Sequence, residues 1–198
     1  MTRDSGMGKG RVEAFTDGVI AIIITIMVLE LKVPHEPTMV AVLSQWPVLL
    51  SYILSFVYVG IYWNNHHHVL HVVKRVDGRV LWANLHLLFW LSLFPFVTSW
   101  MSEEHFAAVP VALYGAILLM AALAWPLMIK ALIAVNGKDS LLAEAIGSDV
   151  KGKLSIVAYA LAIGIAFVVP WLSCVLYAAV AILWFVPDRR IESRVISK

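Results

Sequence analysis

The chain has 198 residues, of which 61% are hydrophobic and 14% charged, with a formal net charge of +2. So apolar a mixture excludes an ordinary water-soluble domain and points to a chain that uses lipid as its solvent. A hydrocarbon core about 30 Å thick takes about 20 helical residues per crossing, and backbone N–H and C=O groups left unpaired cannot face lipid, so the expected class is all-α.

The first apolar run, at about 12–31, lies in RVEAFTDGVIAIIITIMVLEL, Arg11 to Leu31. It does not read as a cleavable leader, because Thr16 and Asp17 interrupt it and no small-residue cleavage site follows. Successive helical residues lie about 100° apart, so Ile22, Thr25, Ile26 and Leu29 share one narrow arc, which Phe15 and Gly18 extend. Asp17 falls almost opposite. An acid facing lipid is costly, so Asp17 should turn inward to polar partners. Thr25 has two readings. Its hydroxyl can bond back to a carbonyl one turn earlier, as is common in membrane helices, or it can face a pore. For Asp17 and Arg11 the plain reading is a structural polar knot, or snorkelling to the cytoplasmic surface.

Further apolar runs fall at about 41–63, 80–101, 107–129, 153–169 and 171–187. The second ends and the third begins on the same side as Asp17, which brings Asn64, His66, His67, His68 and Asn84 to its depth. Arg11 is close enough in level to join them, within its own chain or across an interface. Between the last two runs only Pro170–Trp171 marks a break, either a tight hairpin or a kink. Six crossings with a cytoplasmic N-terminus put 14 of the 15 Lys and Arg inside and leave Lys32 outside. A kinked last helix would move Arg189, Arg190, Arg194 and Lys198 outside, so charge favours six crossings with both termini cytoplasmic. Trp46, Trp63, Trp82, Trp100 and Trp171 sit near the expected span ends, as interfacial aromatics do. Asn136 to Asp149 is the longest polar stretch and reads as a cytoplasmic loop with one short helical turn. The single cysteine, Cys174, leaves no intramolecular disulfide to propose and reads as packing. The whole chain is one transmembrane domain, 1–198.

Arg11-Val-Glu-Ala-Phe15-Thr16-Asp17 resembles the R-x-x-x-F-S-D signature that opens the first helix in the transmembrane protein 175 family, the endolysosomal potassium channels and their prokaryotic relatives. Thr16 stands where Ser is usual and keeps the hydroxyl. YWNNHHHVL at the end of the second run resembles that family's W-x-x-H element, and NLHLLFWLSLFPFVTSWM in the third its N-x-x-x-L…P-F stretch. The resemblance implies a passive cation channel that favours potassium, its pore lined by the first helix and constricted by hydrophobic side chains. One six-helix repeat implies a prokaryotic-type homotetramer in the cell membrane, the inner membrane of a prokaryote. Counted from the signature, the implied lining positions are Ile22, Thr25 and Leu29, with Ile26 in reserve. Cyclic assembly would turn each into a ring: apolar rings at Ile22 and Leu29 able to gate by dewetting, and a ring of hydroxyls at Thr25. The signature and polar-cluster residues are then Arg11, Phe15, Thr16, Asp17, Asn64, His66, His67 and Asn84. YVGIY, Tyr58 to Tyr62, lacks the leading Thr and final Gly of a potassium filter and lies in a continuous apolar run.

The principal rival is a metal or haem transporter built on His66, His67, His68 and His71, joined by His86, since His67 and His71 have the i, i+4 spacing of two ligands on one face. Against it, the local sequence adds no Cys or carboxylate. Those histidines also suggest pH sensitivity. An enzyme would need a convergent nucleophile, acid and base, which the spans lack, and Glu103, Glu104 and His105 read as a solvated turn. A coupled transporter would need acids at mid-depth, of which there are few. No cofactor, metal or nucleic-acid partner is expected; the partners are monovalent cations, lipid and further copies of the chain.

Overall fold

The computed structural model describes residues 8–146 and 149–185. Among them nine helices follow in order: α1 (Lys9–Leu29), α2 (Met39–Ser44), α3 (Trp46–Val72), α4 (Gly78–Ser92), α5 (Phe94–Glu103), α6 (Ala108–Asn136), α7 (Leu141–Ile146), α8 (Val150–Ala166) and α9 (Pro170–Phe185). The described residues contain no strand, so the class is all-α. Four stretches are long and apolar enough to cross a membrane: Lys9–Leu29, Trp46–Val72, Gly78–Glu103 and Ala108–Asn136.

The borders depart from the apolar runs for local reasons. The run from 41 is broken at Gln45. Before it α2 forms on the Thr38 side chain, which accepts from Ala41 N–H at 3.2 Å. After it α3 starts with Pro47 in its first turn, where a missing N–H is no loss. α3 then continues to Val72 instead of ending at 63, because nothing from Trp63 to His71 breaks a helix and Trp63, Asn65, His66 and His67 find partners for their polar atoms. Asn65 donates back to Ile61 C=O at 2.9 Å, and His66 reaches across to α4. The third run is interrupted at Leu93, just before Pro95, which has no N–H to give to the preceding turn. α6 runs past 129 to Asn136 and ends where Gly137 takes φ +99°.

α8 and α9 form a hairpin and not one kinked helix. Ser173 donates to Ala162 C=O at 2.7 Å near the turn, and Trp184 donates to Ser155 at 2.9 Å at the far end, so the two run antiparallel. They contain 17 and 16 residues, against expected runs of 153–169 and 171–187; residues 186 and 187 lie outside the described chain. The short helical turn expected between Asn136 and Asp149 is α7.

α6 is the central element and packs against α4, α5, α8 and α9. Its buried side includes Val111, Leu118, Ala121, Ala124 and Leu132, and the alanines let the neighbours approach closely. Tyrosines bridge the layers with their hydroxyls satisfied. Tyr58 donates to Tyr177 C=O at 2.6 Å, Tyr177 to Val111 C=O at 3.1 Å, and Tyr114 pairs with Ser55 at 3.0 Å. The Asn136 side chain fixes the α3–α4 connection: its oxygen accepts from Lys74 N–H and Arg75 N–H at 2.9 Å, and its nitrogen donates to Arg75 C=O at 3.0 Å and Leu132 C=O at 2.9 Å. α1 packs against α3, α4 and α5 on one edge of the bundle.

Candidate functional site

Beyond Gly18, α1 is apolar apart from Thr25, yet only part of it is buried. Val12, Thr16, Ile20, Ile23 and Met27 face the rest of the bundle. The opposite side is open: Ile22 is 60% exposed, Ile26 42%, Leu29 75% and Phe15 53%, and Thr25 and Gly18 are exposed beside them. These are the residues that the 100° periodicity puts on one arc. The Thr25 hydroxyl donates to Ala21 C=O at 2.7 Å, the back-bond expected of a membrane-helix threonine.

At its Arg11 end α1 is anchored by two polar sets. The inner one is buried. Asn84 on α4 donates to Thr16 Oγ1 at 2.9 Å, and Asn84 Oδ1 lies 2.9 Å from His66 Nε2. With the amide nitrogen given to Thr16, Asn84 Oδ1 accepts from His66 Nε2–H, and His66 Nδ1 is buried with no partner among the described residues. The outer set is a two-rung contact between α1 and α3. Trp63 Nε1–H donates to Asp17 Oδ1 at 2.9 Å, and His67 Nδ1 lies 3.2 Å from Glu13 Oε1. Glu13 and Asp17 are one turn apart on α1, Trp63 and His67 one turn apart on α3, and the Trp63 and His67 rings stack at 6.0 Å.

Asp17 thus turns toward α3, but its partner is Trp63 and none of the Asn or His residues expected. Thr16, His66 and Asn84 converge, and His67 takes Glu13. Asn64 and Arg11 are exposed, with no side-chain hydrogen bond or ion pair among the described residues. Glu13 and Trp63 are the members that sequence reasoning passed over. The signal for both was the matching i, i+4 spacing of acids on α1 and rings on α3. His66 gives Nε2 to Asn84, and His86 accepts from Trp90 at 3.0 Å. Among the described residues no three His, Cys, Asp or Glu side chains converge to hold a metal ion.

A family model described as "Endosomal/lysosomal potassium channel TMEM175" matches residues 11–95, the stretch that contains α1 from Arg11 onward and both of its anchors. A potassium channel of Chryseobacterium sp. (strain P1-3) is 53% identical over 186 residues, 94% of this chain and 97% of that protein. A potassium channel of Streptomyces collinus is 34% identical over 173 residues, 81% of this chain and 83% of its own. The crystal structure of a lysosomal potassium-selective channel TMEM175 homolog from Chamaesiphon minutus superposes with a TM-score of 0.77 at 31% identity, covering 89% of this chain and 95% of that one. With the signature helix inside the matched region and a relative more than half identical from end to end, this chain belongs to the TMEM175 family, whose members are channels and not enzymes.

Proposed function

We propose that four copies of the chain assemble around a symmetry axis with α1 innermost, and that the assembly passes monovalent cations down their gradient, potassium ahead of sodium. The observation that carries this reading is the open face of α1: a membrane helix whose partner elements cover Ile20, Ile23 and Met27 while Ile22, Thr25, Ile26 and Leu29 stay uncovered. A single helix cannot enclose a path, and cyclic symmetry supplies the other walls from the same sequence. In that arrangement Ile22 and Leu29 are apolar constrictions that gate by wetting and dewetting, Thr25 is the oxygen ring between them, and Ile26 enters on a modest rotation of the helix.

Six crossings fit the charge pattern best, with the α8–α9 hairpin completing the count and both termini on the side of Lys74, Arg75 and Arg79 in a prokaryotic cell membrane. Helices of 17 and 16 residues span about 24–26 Å at 1.5 Å per residue, a short crossing that a locally thinned bilayer accommodates. The anchors of Thr16, Asp17 and Glu13 serve to set the rotation of α1, and with it which side chains face the axis.

The deciding experiment is cation flux from liposomes loaded with potassium in sodium medium. Wild type should release potassium passively, Ile22→Asn should release it faster because a polar ring stays wet, and Thr25→Ala should alter the potassium-to-sodium ratio. Flux indistinguishable from empty liposomes in all three would overturn the reading.

A further inference from the structure

At the pole of the bundle that carries the α1–α2 connection, a cavity of about 140 Å³ opens between α1, α3 and α5. Its wall is mostly apolar, with Met27, Leu31, Val48, Tyr52 and Pro95, and it includes the hydroxyls of Thr98 and Ser102, which are bonded within the bundle. Its charged residues are Glu30, Lys32 and Glu103, two carboxylates against one ammonium, and Gln45 adds a half-buried amide whose side chain makes no hydrogen bond among the described residues. The polar contacts at the mouth are long. Lys32 Nζ lies 3.3 Å from Glu103 Oε1, and Ser99 Oγ lies 3.4 Å from Glu30 Oε2. Charge-assisted hydrogen bonds close to about 2.7–2.9 Å when the partners are matched, and with one long contact each both carboxylates keep acceptor sites open to a further donor.

We propose that this cavity binds a small amphipathic monocation: an ammonium group at the Glu30–Glu103 mouth and an apolar body of about one ring against Val48, Tyr52 and Pro95. Size and charge select that class together. An apolar cavity of about 150 Å³ is known to take up benzene, which sets the scale of body that about 140 Å³ admits. A surplus of one negative charge calls for one positive charge, and the apolar wall disfavours a bare hydrated metal ion, which keeps its water. Of the residues of α1 the site is lined by Met27, on the buried side, and by none of Ile22, Thr25, Ile26 and Leu29. It is therefore separate from the proposed conduction path and stands whether or not that path is correct. An occupant would bridge the end of α1 and the residues that follow it to α3 and α5, where Met27 is packed and the side-chain polar contacts are the two long ones above.

The test is saturation-transfer NMR with benzylammonium chloride on the purified full-length chain in nanodiscs, with benzyl alcohol as the uncharged control. Wild type should give a saturable signal, with benzyl alcohol at least tenfold weaker. Glu103→Gln leaves Glu30 and Lys32 to neutralise each other and should weaken binding at least fivefold. Lys32→Gln leaves both carboxylates free and should tighten it severalfold. Opposite signs from two variants that break the same ion pair separate a charge-selective site from a structural one, for which both would weaken binding. Val48→Phe fills the cavity and should abolish the signal; the two charge variants on the exposed mouth keep the test intact if that variant does not fold. Equal signals from wild type and every variant, or equal signals from the alcohol and the ammonium, would mean partition into lipid and overturn the proposal.

Discussion

Asn84 Nδ2 donates to Thr16 Oγ1 at 2.9 Å from a position 2% exposed on α4, a contact that ties α1 to the centre of the bundle. The same amide holds His66 on α3, so three helices meet at a single side chain. Leaving a buried polar group without its partner costs about 1–3 kcal/mol. Asn84→Ala orphans two such groups and should lower stability by about 2–4 kcal/mol, seen as a drop in the thermal midpoint of the detergent-solubilised protein. Thr16→Ser keeps the acceptor oxygen and should stay within about 1 kcal/mol of wild type. A midpoint unmoved by Asn84→Ala would show that the contact is dispensable.

The Thr25 back-bond is compatible with the proposed place of Thr25 in the pore. A hydroxyl has one proton and two lone pairs, and here the proton is committed to Ala21 C=O. What remains for the open face of α1 is acceptor oxygen alone, the kind of ligand a dehydrated cation needs. Thr25→Val matches the shape and removes the oxygen, and should bring the potassium-to-sodium permeability ratio close to 1. Thr25→Ser should retain most of the wild-type ratio. Reversal potentials under bi-ionic conditions measure both, and an unchanged ratio in Thr25→Val would assign Thr25 to helix structure only.

Much of α1 was legible because it is local: the arc from Ile22 to Leu29 follows from the pitch of one helix, whatever the rest of the chain does. Depth placed His66 and Asn84 beside the start of α1, but as partners for Asp17; that they meet Thr16 instead follows from the rotation of α1, which depth does not give. Direction within that level was not legible. Trp63 at a span end looks the same in sequence whether its indole points to the lipid interface or to Asp17, and only the crossing of α1 on α3 decides it. Arg11 and Asn64 sit at the right depth and on the exposed side. Hydropathy also misplaced the ends of α3 and α6, because it reports where side chains prefer to be and not where the backbone ceases to be helical. His66 to His71 continue the helix while leaving the apolar run.

Gly115 on α6 makes room for Tyr177 of α9. A Cβ added there would overlap the Tyr177 hydroxyl and ring carbon and crowd Ile163 on α8. Tyr177 is fully buried and donates to Val111 C=O at 3.1 Å, so its ring cannot swing aside without losing that bond. Gly115→Ala should therefore destabilise the chain by about 1–3 kcal/mol despite the higher helix propensity of alanine. Adding Tyr177→Phe removes the overlapping oxygen and should recover part of the loss. Thermal midpoints of the two single variants and the double variant form a cycle; strict additivity would mean the two side chains do not meet.

Asp77 sits at the start of α4, outside the membrane-crossing helices, and gives the pH dependence its sign. Its Oδ1 accepts from Val80 N–H at 3.1 Å and from Arg79 N–H at 3.0 Å, while Oδ2 accepts from Arg79 Nε at 2.9 Å. The Val80 N–H foremost, aided by the Arg79 guanidinium, holds the Asp77 carboxyl below its ordinary value of 3.8. A group whose folded-state value is depressed contributes stability above the unfolded value and loses it as pH falls through the folded one. Asp77→Ala should therefore lower the thermal midpoint near neutral pH, with the gap to wild type narrowing once pH drops below about 3.8. Asp77→Ser keeps a cap acceptor that does not titrate, so its midpoint should lie between the two at neutral pH and fall less steeply with acid than that of wild type. Midpoints taken at intervals from about pH 6 to about pH 3 distinguish the cases, and a gap that stays constant across that range would mean that the capping charge of Asp77 does not contribute to the stability of α4.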